Sequence, residues 1–138
     1  MKIIIDNNIV LDALLGRHPY NEAAERILLA CAEAHEGYLS ANSLTDIFYV
    51  LRKLTNAQSA KAAIKKLMEL LHIISVNAED CINALELPID DFEDALVMIC
   101  AKNVAAEYIV TRDADFLSAD STASDIQVIS PVKLIQIL

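Results

Sequence analysis

Apolar residues along this chain follow two rhythms, and the alternation between them predicts the fold. Lys2 to Asp6 holds three consecutive isoleucines with no polar alternation, the pattern of a short strand covered on both faces. Asn7 to Leu15 then reads as a helix that stops near Gly16. After an Arg17-His18-Pro19 turn, Ala23, Ala24, Ile27, Leu28 and Cys31 recur at helical spacing as far as about Ala34. Gly37 to Ser40 is a short strand. Asn42 or Ser43 caps a helix to about Leu54 with Leu44, Ile47, Phe48, Val50 and Leu51 inward. Asn56 starts another helix, Ala57 to Leu71, with Lys61 and Lys65 on one edge. Ile73 to Val76 is a strand, and Asn77 or Asp80 opens a helix ending near Leu87-Pro88. Asp90 or Asp91 caps a helix to about Ala105, and Tyr108 to Thr111 is a further apolar strand. Ile126 to Ile129 closes the sheet, and Ser130-Pro131 begins a terminal helical turn, proline being favoured at the first helical position.

Strands separated by helices predict an α/β chain with a parallel sheet covered on both faces. At 138 residues a single domain, 1–138, is expected. Sites in such folds lie beyond the carboxyl ends of the strands. Asp6 and Asp113 both follow strands at that end.

Composition narrows the function. A hydrophobic share of 55% and a mean hydropathy of +0.38 describe a core-rich globular chain. No stretch reaches the roughly 18 apolar residues of a membrane span, and Asp6 interrupts any leader-like run. Cys31, Cys81 and Cys100 lack CxxC spacing and read as reduced, buried thiols. A cytoplasmic location is expected. Only Gly16 and Gly37 are present, which excludes glycine-rich phosphate loops. The net charge of -9 argues against duplex binding through a broad basic face. Yet Ile47 to Met68 has no acid and holds Arg52, Lys53, Lys61, Lys65 and Lys66. That segment reads either as a solvated helical face or as a phosphate-contacting patch.

The chemistry lies in four acidic stretches at the ends of apolar runs or inside them. Asp6 ends the first strand; it suits a helix N-cap and equally a metal ligand. Asp46 follows Ser43 by three residues, a capping-box spacing. Asp91 and Asp94 open a helix, where first-turn acids suit the helix dipole. Asp94, however, precedes Ala95-Leu96-Val97-Met98, apolar on nearly every side, so an inward carboxylate there needs a partner. Asp113 and Asp115 flank Ala114 in what reads as an Asx-rich turn, and alternation favours Asp113 as the inward one. Asp12 reads as an outer partner of the site or as solvated. Converging carboxylates repel one another, and a hard divalent cation held by oxygen ligands relieves this. His18, His35 and His72 are scattered and read as surface or turn residues.

The strand-Asp6-Asn7-Asn8 opening, the Ser43-Leu44-Thr45-Asp46 helix, the Asp91-Phe92-Glu93-Asp94-Ala95-Leu96 start and the Thr111-Arg112-Asp113-Ala114-Asp115-Phe116 segment together resemble the PIN domain family, in order and over nearly the whole chain. The resemblance implies a three-layer α/β/α sandwich around a parallel sheet, with acids binding Mg²⁺ or Mn²⁺ and hydrolysing RNA phosphodiesters. It places the catalytic and metal-binding role on Asp6, Asp46, Asp94 and Asp113, with Asn8, Asp91, Thr111 and Asp115 in support. Many small prokaryotic members are toxins of toxin–antitoxin pairs, so an antitoxin protein is an expected partner. Two positions depart from the family pattern. Asn7 stands where Thr or Ser is common, and Asp46 where many members have Glu, one methylene longer. Neither removes a charge, and activity is still expected.

Since even two divalent ions would leave the chain acidic, Arg52, Lys53, Lys61 and Lys65 are the expected RNA contacts, in a homodimer that brings two such patches around one groove. The alternative is a catalytically inactive PIN-like module binding RNA or protein, its acids serving as caps. A haloacid-dehalogenase-type phosphatase would need Asp at the position of Asn8. A receiver-type phosphoacceptor is disfavoured by Asn77 after the Ile73–Val76 strand.

Overall fold

The isoleucine-rich start of the chain forms the middle of the sheet. The structure, a computed structural model, describes residues 1–119 and 125–138. Among these the elements run β1 (Lys2–Ile5), α1 (Asn7–Leu15), α2 (Asn21–Glu33), β2 (Glu36–Ser40), α3 (Ala41–Leu54), α4 (Ala57–Leu70) and β3 (His72–Ile74). They continue with α5 (Ala78–Leu85), α6 (Phe92–Val104), β4 (Tyr108–Val110), α7 (Ala114–Ser118), β5 (Gln127–Ile129) and α8 (Pro131–Ile135). All pairings are parallel, in the order β3-β2-β1-β4-β5.

Successive side chains of β1 serve opposite layers, as the pleat requires. Ile3 and Ile5 pack with Ile9, Ile27, Leu39, Ile47, Leu67 and Leu134, drawn from α1, α2, β2, α3, α4 and α8. Ile4 packs on the other face with Val97, Met98, Ile109 and Phe116, from α6, β4 and α7. This is an α/β/α sandwich with helices on both faces. Each isoleucine buried this completely contributes roughly 1.5–3 kcal/mol. The chain winds outward from β1 through β2 to β3, then returns to the far side of β1 as β4. The order of winding therefore reverses between β1 and β4, and a crevice opens at their carboxyl ends.

Local chemistry sets the boundaries. Gly16 ends α1 at φ 60, the left-handed conformation that glycine adopts without strain. A Cβ on Gly37 would lie 2.7 Å from Leu71 Cδ2 and 2.8 Å from Cys31 Cβ, so only glycine lets β2 pass beneath α2. Asn77 and Asp80 cap α5 reciprocally, each side chain accepting from the other residue's backbone N–H. Ser130 caps α8, with Pro131 in its first turn.

Three expectations are corrected. Helix α3 begins at Ala41, with Ser40 rather than Asn42 or Ser43 at the cap position. Ser43 is buried within the first turn, its hydroxyl 2.7 Å from that of Ser40, so Ser43 and Asp46 form no capping box. Strand β3 is His72–Ile74, ahead of the expected Ile73–Val76. The Asx-rich turn after β4 continues into helix α7, which Asp113 caps by accepting from Asp115 N–H. Cys31 and Cys100 are buried, Cys81 partly so, and all are free; burial pushes the first two thiols up to about 11. Among the described residues no helix is long and apolar enough to cross a membrane.

Candidate metal centre

Asp6 emerges from β1 at the reversal point, only 8% exposed. Its backbone N–H still pairs with Val110 of β4 (3.0 Å), which fixes where the side chain leaves the sheet. One carboxylate oxygen accepts from Asn7 N–H (2.8 Å), at the start of α1. The other accepts from the fully buried Thr111 hydroxyl (2.7 Å) and from Asn8 Nδ2 (3.3 Å). Thr111 also accepts from Asp113 N–H (3.1 Å), so one hydroxyl joins the first and last acidic stretches. Burial raises the Asp6 carboxyl above its ordinary value; the Thr111 and Asn7 hydrogen bonds oppose this, while Asp113 and Asp91 reinforce it.

Asp94 comes from the first turn of α6 and is also 8% exposed. Its backbone N–H is capped by Asp91 Oδ1 (3.0 Å). Among the described residues no donor reaches its carboxylate. Burial first, then the like charges of Asp91, Asp6, Asp113 and Glu93, push this carboxyl from its usual 3.8 to about 7. Asp90, Asp91, Asp94 and Asp115 border a cleft of ≈ 520 Å³ together with Pro88 and Ser118. Asp115 therefore edges the same cleft as Asp94. Alternation does not turn it away, because the backbone leaves the extended state at Ala114.

Asp46 is exposed in the second turn of α3 and joins the cluster through Asn7, whose Nδ2 donates to Asp46 Oδ2 (3.4 Å) and to Glu93 Oε1 (3.3 Å). Partial desolvation, then Asp46, Asp6, Asp91 and Asp113, raise the Glu93 carboxyl. Glu93 is a member of the cluster that was not expected from its position in the sequence. Its signal was adjacency to Asp94, which reads equally well as an exposed dipole partner. The amide oxygen of Asn7 is buried with no hydrogen-bond partner.

Asp12 is not solvated. It is fully buried and accepts from Arg112 Nε (2.6 Å) and Nη2 (3.0 Å). Arg52, Lys53, Lys61 and Lys65 are all exposed on α3 and α4. Lys61 edges a ≈ 270 Å³ apolar recess with Leu44, Thr45, Phe48 and Ile64, and Lys53 lies over the Tyr49 ring at 5.0 Å.

The donors fit a hard cation in kind. They are oxygens, one carboxylate is destabilised by its own neighbours, and a buried amide oxygen lacks a partner. Among the described residues, however, no three His, Cys, Asp or Glu side chains are arranged tightly enough to hold an ion directly.

Similar folds occur among solved structures of low sequence identity. VapBC2 from Rickettsia felis, bound to a fragment of promoter DNA, has 19% identity and a TM-score of 0.68, with 94% of this chain and 98% of that one covered. A toxin–antitoxin complex from Klebsiella pneumoniae has 20% identity and a TM-score of 0.69, covering 94% and 97%. VapC20 of Mycobacterium tuberculosis, described as a sarcin–ricin loop cleaving toxin, has 16% identity and a TM-score of 0.69, covering 83% and 92%. No curated protein sequence matches the chain. The PIN domain profile matches residues 2–115, from the first residue of β1 to the first turn of α7 and so across all four acidic stretches. The chain belongs to the PIN domain family.

Proposed function

We propose that this protein is a divalent-metal-dependent endoribonuclease and the toxin component of a toxin–antitoxin pair. One observation carries the reading: the buried Asp94 carboxyl is crowded by Asp91, Asp6, Asp113 and Glu93, and burial first, then these like charges, push it up to about 7. A helix cap gains nothing from that crowding, whereas a cation site does. Family membership and the toxin–antitoxin neighbours support the same reading.

Asp6, Asp94 and Asp113 would hold Mg²⁺ or Mn²⁺, with the shorter Asp46 acting through a water and Asp91 and Asp115 on the cleft rim. When bound, the ion neutralises phosphoryl charge and activates water. Thr111 and Asn8 hold Asp6 in one orientation by donating to a single oxygen, while the other oxygen accepts from Asn7 N–H and keeps a lone pair for the site. The Asp94 carboxylate, which receives no hydrogen bond among the described residues, would accept from water at the cleft. Arg52, Lys53, Lys61 and Lys65 would steer RNA. A homodimer joining two such patches, an antitoxin partner and a cytoplasmic location complete the reading.

The second reading, a catalytically idle RNA- or protein-binding module, draws on the lack of a close ligand trio among the described residues. Titrating Mg²⁺ and Mn²⁺ against cleavage of a folded RNA panel separates the two. Metal-dependent cleavage by the wild type, abolished by Asp6→Asn, is expected. Absence of cleavage at every metal concentration, or equal cleavage by Asp6→Asn, would sink the nuclease.

A further inference from the structure

Beside the acidic cluster lies a group of opposite character built around Asp12. This carboxylate sits in α1 with none of its surface exposed, yet two arginines address it. Arg112 grips it through Nε (2.6 Å) and Nη2 (3.0 Å), and Arg17 Nη1 approaches to 3.7 Å. A leucine at position 12 would satisfy the core at lower cost than a buried ion pair. What the carboxylate adds is a guanidinium held in one orientation. The group also carries one positive charge more than its buried anion neutralises.

Both cations stay available. The Arg112 side chain is 32% exposed and that of Arg17 37%. Arg112 spends two of its five N–H donors on Asp12, which leaves three for another acceptor. Its guanidinium lies 4.1 Å above the Tyr20 ring, and Tyr20 itself is 47% exposed at the start of α2. Arg112 stands between Thr111 and Asp113, and its backbone N–H meets Asn8 Oδ1 at 3.5 Å. The patch is thus attached to the same β4–α7 segment that carries two of the acids. The cations of α3 and α4 have no hydrogen bond or ion pair tying them to those acids among the described residues.

We infer that Arg17, Tyr20 and Arg112 form a subsite for a single-stranded stretch of RNA flanking the phosphodiester to be cut. The inference rests on the ribonuclease reading and assigns the strand's path beside the metal centre. A planar guanidinium fork fixed by a buried carboxylate suits phosphate oxygens. An exposed ring beside it suits a base, since every base offers a face for stacking. Paired bases inside a duplex are closed to such a ring, which selects single strands. In a chain of charge -9 the two arginines also supply positive potential next to the carboxylates that a polyanion must approach.

The test measures binding apart from cleavage. Fluorescence anisotropy would follow a labelled unpaired oligoribonucleotide and a matched RNA duplex over a salt series, using the full chain carrying Asp6→Asn. Arg17→Ala and Tyr20→Leu are added singly; both side chains lie outside the core, and melting curves check that the fold is kept. Arg112→Lys provides a third variant that keeps the charge but loses the fork.

Tyr20→Leu should weaken single-strand binding about tenfold with little change for the duplex. Arg17→Ala should reduce the salt slope for the single strand by roughly 0.7. Arg112→Lys should weaken single-strand binding while leaving that slope unchanged. Single-strand affinity and slope equal to the parent in Arg17→Ala and Tyr20→Leu would overturn the subsite and leave the patch to an acidic protein partner. Cleavage by the wild type, followed in parallel, keeps the two ideas apart. RNA cut normally with unaltered binding by the variants rejects the subsite alone. No cleavage but weakened variant binding rejects the nuclease and retains the subsite.

Discussion

Replacing Asp94 by asparagine should make the metal-free protein more stable above pH 7. The carboxyl rises from 3.8 to about 7 on folding. At 1.36 kcal/mol per pH unit this is at most about 4 kcal/mol held against the folded state when the group is ionised. Asp94 borders a cleft of ≈ 520 Å³, so solvent screens much of the repulsion from Asp91, Asp6 and Asp113. The amide also forfeits a first-turn dipole interaction of about 0.3–1 kcal/mol. A net gain of about 1–2 kcal/mol is expected.

The pH dependence follows from the direction of the shift. Between roughly pH 4 and pH 7 the folded protein holds a proton at Asp94 that the unfolded chain has released. This contribution to wild-type stability is fully present below about pH 4. It is lost as pH rises to about 7, and the loss is complete above that. Asp94→Asn lacks the slope, so the two proteins should agree near pH 4 and diverge by pH 8. Urea unfolding in chelator across this range reads the difference. Mn²⁺ at a hundredfold excess over its Kd should then stabilise the wild type by about 2.7 kcal/mol and the variant much less. If the variant is instead about 0.3–1 kcal/mol less stable in chelator at pH 8, and Mn²⁺ shifts both proteins equally, Asp94 is only a dipole partner.

Three further outcomes are expected. Ala105 ends α6 at φ 55, a left-handed conformation costly for a residue with a Cβ, so Ala105→Gly should stabilise by about 1 kcal/mol in thermal unfolding. Lys61→Ala with Lys65→Ala should weaken RNA binding and flatten its salt dependence without moving the Mn²⁺ midpoint; an unchanged salt slope returns these lysines to a solvated face. Asn7→Ser and Asp46→Glu should each lower cleavage, and the double variant should recover part of it, because Asn7 Nδ2 meets Asp46 across 3.4 Å; strictly additive losses in a double-mutant cycle would refute this coupling.

What could be read from the chain was whatever a short window decides. β1 and β4 are contiguous, apolar and buried, and a helix as apolar as α6 has few alternatives to the core, so these elements lie where the pattern puts them. Helix α7 escaped because five residues carry too little periodicity. Its stability comes from the Asp113 cap and from Phe116, buried against the sheet face that carries Ile4 and Ile109. The start of α3 was misplaced because Ser40 and Ser43 are both good cap residues on paper; in the fold both are buried and bonded to each other, and the backbone turns helical after Ser40. Asp12 was left open between an outer partner of the site and a solvated residue for a related reason: helical spacing assigns a face, but its partner Arg112 is 100 residues away. The site shows the same limit most clearly. Asn7 and Asp46 look like separate departures from the family pattern when each is read in its own stretch. In the fold a single amide spans from α1 to Asp46 on α3 and Glu93 on α6, and an asparagine side chain extends further than the serine or threonine common at its position. A longer donor facing a shorter acid is one arrangement expressed at two positions, which only the packing of three helices brings together.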